Sequence, residues 1–179
     1  MSTRESLAAP GWATGWLNVC GRLERLVTFS AFMLMVAVVF GDVATREVTG
    51  TGLHWARQVG VYANLFVVML GIGLASADGA HLRPRFADSW LPSAWDPWLN
   101  RVGEALMALF CLAFAVIAVG VVADSLAMGE RSAVLRVVVW PVQAVIPLAF
   151  GLAAIRHALY GLFPQLSPGD AAPTRPEVD

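Results

Sequence analysis

Three histidines, His54, His81 and His157, and two cysteines, Cys20 and Cys111, are the side chains on which any metal, haem or thiol chemistry would be built. Cys20 and Cys111 lie at different depths with no neighbouring His or Cys at ligand spacing, so they read as small packing residues, neither disulfide partners nor ligands. A haem or quinone site within a membrane calls for histidines inside the apolar segments, and all three fall at segment ends or in loops. No Ser, Cys or Asp shares a depth with a plausible base, which leaves nucleophilic chemistry without its partners. These residues support no catalytic, cofactor-binding or metal-binding assignment, and the expectation is a protein that is not an enzyme.

The elements that would carry any such group are four uncharged apolar runs, Leu26 to Gly41, Val59 to Ala77, Ala105 to Ala123 and Val137 to Ile155. At about 1.5 Å of rise per residue, three of them match a hydrocarbon core of about 30 Å. The first reaches full length once it extends back towards Leu23 and on through Asp42 to Ala44, because Arg22, Arg25 and Asp42 can snorkel to the interfaces. The fold class expected is all-α, an integral membrane four-helix bundle with amphipathic interfacial helices. Its parts are an N-terminal interfacial segment over 1–25, a membrane domain over 26–163 with spans near 24–45, 58–78, 104–124 and 138–158, and a disordered tail over 164–179. Arg22 and Arg25 before an apolar stretch resemble a secretory signal, but the stretch is long and the cleavage pattern weak, so it reads as an uncleaved span. The 58% hydrophobic content and net charge of −1 leave little chain for a second folded unit and no basic stripe for nucleic acid.

A chain that moves a polar solute through its own body needs carboxylates, histidines or a broken helix near mid-membrane. Here the polar groups inside the runs reduce to Thr28, Ser30, Asn64, Ser76 and Gln143. Asn64 and Gln143 are expected to hydrogen-bond across helix interfaces, at roughly 1 kcal/mol each. Pro141 fits a first helical position, whereas Pro147 must kink the last span or free a carbonyl. Gly71 and Ala75, four apart on the second span, favour close helix approach. The phenylalanines at 29, 32, 40, 110 and 114 leave apolar surface for lipid or for a larger membrane partner.

The arginines set the orientation, since basic residues near span ends stay cytoplasmic. Arg4, Arg22, Arg25, Arg83, Arg85, Arg101, Arg156 and Arg175 share one face, against Arg46, Arg57, Arg131 and Arg136 on the other. Both termini are therefore expected to be cytoplasmic. Before the first span, Trp12, Trp16, Val19, Cys20 and Leu23 form a helical apolar stripe with Arg22, Glu24 and Arg25 off it, the pattern of a helix lying on the membrane. In the second loop Pro84 can open a short helix with Phe86, Ala87, Trp90 and Leu91 on one side, followed by Trp95 and Trp98.

The order of these features resembles the small membrane subunit of tripartite ATP-independent periplasmic (TRAP) transporters, the DctQ-like small permease family. The resemblance runs from about Arg22 to Phe163. It rests on Arg-Leu-Glu-Arg-Leu at 22–26 leading into the first span, Arg46 closing it before a short loop that ends in Trp55, and Leu70-Gly71 followed by Ala80-His81-Leu82-Arg83. Leu91-Pro92 in the loop and Ile146-Pro147-Leu148-Ala149-Phe150-Gly151 before Arg156 complete it. Arg57-Gln58 departs from the acidic pair common in the family after the tryptophan, so a role of those acids is not carried over.

The resemblance implies a scaffold subunit of a sodium-driven importer in a bacterial inner membrane. It would pair with a large membrane subunit of about twelve spans that holds the solute and sodium sites, served by a periplasmic solute-binding protein. Organic acids are the usual cargo. Arg46 and Trp55 are then candidates for receptor docking or for the interfacial belt, Gly71 for helix contact, His81 and Arg83 for fixing the cytoplasmic loop or touching the partner, and Pro147 for the break in the last span. Two rivals remain open: a self-assembling four-helix channel or structural homo-oligomer, and a membrane anchor for an enzyme or electron-transfer chain.

Overall fold

The structure is a computed structural model and describes residues 10–77 and 96–167. Apolar segments in a bilayer must satisfy their backbone internally, and this chain does so with helices. They are α1 (Gly11–Thr49), α2 (Ala56–Ala77), α3 (Asp96–Met128), the one-turn α4 (Trp140–Gln143) and α5 (Val145–Leu162), with a short 3-10 turn at Pro164–Leu166. Among the described residues there is no strand, only a single bridge between Arg131 and Val138 in the loop after α3. Four segments are long and apolar enough to cross a membrane, α4 and α5 together forming the last.

The helices are neighbours in the order α1, α2, α5, α3. α1 packs along α2, α2 along α5 and α5 along α3, while α1 meets α5 only over a short stretch. In such an open row the end helices bury least, and α1 and α3 are indeed the most exposed of the four. Between α2 and α5, Leu70, Val145 and Ala149 form one apolar cluster. Cys111 packs with Ala153 and Ala154 between α3 and α5, which is the packing role expected of it. Phe114 bridges Phe110 and Phe150 at centroid distances of 4.6 and 5.4 Å.

α1 unites the N-terminal segment and the first span in one unbroken helix of 39 residues. It stops at Gly50, whose φ of 75° is a conformation that a side chain would strain, and the Gly50 N–H donates to the Arg46 carbonyl. Pro147 offers no N–H to the Gln143 carbonyl, and the last span is interrupted at Ala144, next to that freed acceptor. Pro164–Leu166, assigned to the tail by sequence, close a 3-10 turn against the end of α5.

Candidate functional site

One end of each of the four spans carries polar side chains, and the fold draws these ends together. Arg156 of α5 is 1% exposed and Glu24 of α1 is 3% exposed. The Arg156 guanidinium donates from Nη2 to Glu24 Oε2 at 2.5 Å and from Nη1 to the Gly73 carbonyl of α2. Its Nε finds no partner among the described residues. Gly73 suits the close approach: a Cβ there would sit 3.0 Å from Glu24 Oε1 and 3.4 Å from Arg156 Nη1, so the ion pair would have to give way by a few tenths of an ångström.

The next residue, His157, ties the remaining helix. Its Nδ1 lies 2.6 Å from Glu104 Oε2 of α3 and its Nε2 lies 2.8 Å from Ser76 Oγ of α2. An ionised carboxylate only accepts, so Nδ1 carries the proton donated to Glu104. Nε2 then accepts the Ser76 hydroxyl when the ring is neutral. Tyr160, one turn on, meets the imidazole edge-on at 6.2 Å. Two acids and two bases from three helices, with a carbonyl and a hydroxyl from the fourth, thus form one connected network.

This arrangement corrects two expectations. Glu24 was placed on the water-facing side of an amphipathic helix, but it is buried, while Trp12, Val19 and Leu23 of the apolar stripe face outward. The ion pair with Arg156 turns Glu24 towards the protein, while Arg22 and Arg25 beside it stay exposed. Arg156, expected in the tail beyond the last span, lies two turns inside α5 with its charge paired. Among the described residues, Asn64 and Gln143 do not make the interhelical bonds expected of them. Asn64 is exposed on α2, and Gln143 Oε1 is buried without a partner among the described residues. Gln143 instead borders a cleft of about 210 Å³ walled by Phe114, Ile117, Ile146 and Phe150.

The sequence candidates fall elsewhere. Arg46 pairs with Asp42 one turn back at 3.0 Å, at the far end of α1 from the network. Trp55 stands half-exposed before α2, and its carbonyl accepts the N–H groups of Gln58 and Val59. A Cβ at Gly71 would meet nothing within 4 Å, so the close helix approach inside this chain is at Gly73, two residues on. Pro147 lies in the first turn of α5. His81 and Arg83, and the loop helix expected after Pro84, lie outside the described residues. Gln58 takes a role that sequence did not assign: its Oε1 accepts the Val134 N–H at 3.2 Å, tying α2 to the loop after α3.

Residues 35–164 match the family model for tripartite ATP-independent periplasmic transporters, DctQ component. The chain belongs to the DctQ family. It is a multi-pass membrane component of a TRAP transporter, the small subunit, as the ordered motifs implied. No curated protein and no solved structure matches it. Within this DctQ chain the matched stretch contains Gly73, Ser76, Glu104, Arg156 and His157, whereas Glu24 precedes it.

Proposed function

We propose that this chain is the non-catalytic scaffold subunit of a secondary, sodium-driven importer of organic acids in a bacterial inner membrane. It pairs with a large membrane subunit of about twelve spans, and a periplasmic solute-binding protein delivers the cargo. Both termini are cytoplasmic, which puts the polar network at the inner end of the bundle. The observation that supports this reading is how the charges are spent. The acids and bases of the network are bonded to one another between helices, and among the described residues mid-span side chains offer a hydrophilic solute no set of convergent polar groups. A row of helices also leaves broad apolar faces, as a scaffold that enlarges a partner requires.

The large subunit packs against the flank of α2 that carries Asn64 and Gly71. Asn64 is a polar group exposed on a spanning helix, where a neighbouring helix can supply its partner, and Gly71 allows a backbone to approach. His81 and Arg83 follow this helix in sequence and extend the contact at the cytoplasmic side, while Arg46 and Trp55 face the receptor. Affinity purification from the native membrane should recover a much larger polytopic protein in fixed proportion; a stable complex of this chain alone would reject the reading in favour of a self-assembling one. Gly71→Leu should lower that recovery at least several-fold while changing the stability of the isolated chain by less than about 0.5 kcal/mol. Recovery unchanged by the leucine would remove the partner from this flank.

A further inference from the structure

At the end of the bundle opposite the polar network, α1, the start of α2 and the loop after α3 border a half-open cavity of about 580 Å³. Three of its side chains, Arg46, His54 and Arg57, are basic or can become so, and Asp42 is the one carboxylate among those lining it. Asp42 is already engaged on both oxygens, by Arg46 at 3.0 Å and by the Leu53 N–H at 2.5 Å. Arg46 remains 61% exposed and keeps donors to spare. Arg57 is exposed and forms no ion pair among the described residues, and the first turn of α2 holds no acidic residue. The cavity is therefore positive and rich in donors.

Its depth and its floor narrow the ligand. It lies where α1 and α2 leave the apolar core, which is headgroup level for a spanning helix. One turn inward Val61 is 60% exposed, and Val68 and Ile72 continue an exposed apolar strip along the same helix. We propose that this cavity binds the phosphodiester headgroup of an anionic phospholipid, with Arg57 and Arg46 donating to the phosphate and an acyl chain lying along Val61, Val68 and Ile72. Inorganic phosphate shares the headgroup chemistry, but only a lipid gains from the apolar strip. The headgroup site stands at the end of α2 beyond Asn64, its acyl strip borders the flank that carries Asn64 and Gly71, and neither depends on the scaffold reading.

The test is lipid retention by the full-length chain in detergent, counted by native mass spectrometry after exposure to phosphatidylglycerol, phosphatidylcholine or inorganic phosphate. Phosphatidylglycerol should be retained well above phosphatidylcholine, and phosphate alone should neither bind comparably nor displace it. Loss of one such cation should lower retention about fivefold in Arg57→Gln, further in Arg57→Glu, and little in Arg57→Lys. Because Arg57 is exposed and in no ion pair among the described residues, these variants should melt like the parent chain without lipid. Equal retention of the two lipids, or undiminished retention in both Arg57→Gln and Arg57→Glu, would overturn the proposal. Displacement by inorganic phosphate would convert the site into one for free anions and equally overturn it.

Discussion

Replacing Arg156 with leucine should destabilise the chain by about 3–5 kcal/mol, the cost of leaving a buried charge without its partner. For a chain of this size that corresponds to a fall in melting temperature of about 6–20 °C. The carboxylate stranded is that of Glu24, 3% exposed on a different helix, and the Gly73 carbonyl loses its donor in the same step. Thermal unfolding of the purified variant in detergent measures the loss. Converting Glu24 to leucine as well should restore much of it, because an apolar pair replaces a charge that has no partner. A double variant no more stable than Arg156→Leu would show that the ion pair is not what the substitution breaks.

Gly73→Val should be the second most damaging change. Even its Cβ would stand 3.0 Å from Glu24 Oε1, so the pair must shift or α2 must move outward. Overpacking of this kind costs about 1–3 kcal/mol, and more where the contact splits the ion pair. Gly71→Val is the matched control, since its Cβ points into open space. Melting curves of the two variants should separate clearly, with the Gly71 protein close to the parent. Equal losses would mean that helix propensity, not the crowding around Glu24, governs both sites.

Length and hydropathy make four spans legible because a helix must bury or lipidate each apolar run, and the Pro147 break follows from a missing N–H. The polar network is harder to read. Glu24 and Arg156 are 132 residues apart, and a charge at the end of a span has water as its ordinary partner, so each was assigned to the interface. One signal was available: Glu24, Ser76, Glu104 and the Arg156-His157 pair sit at one end of four successive spans, with acids and bases in balance. Helical periodicity puts Glu24 off the apolar stripe, but which side of α1 faces the protein depends on the ion pair. Gln58 shows the same limit in reverse. Its divergence from the family's acidic pair was visible, whereas the Val134 N–H it accepts comes from a loop 76 residues away.

The division of labour is tested most directly by transport in reconstituted vesicles. With a sodium gradient and the solute-loaded receptor outside, vesicles holding this chain alone should accumulate no solute. Vesicles that also hold the large membrane subunit should take it up. Accumulation by the chain alone would contradict the account, because its charged groups would then be serving cargo instead of holding its helices together.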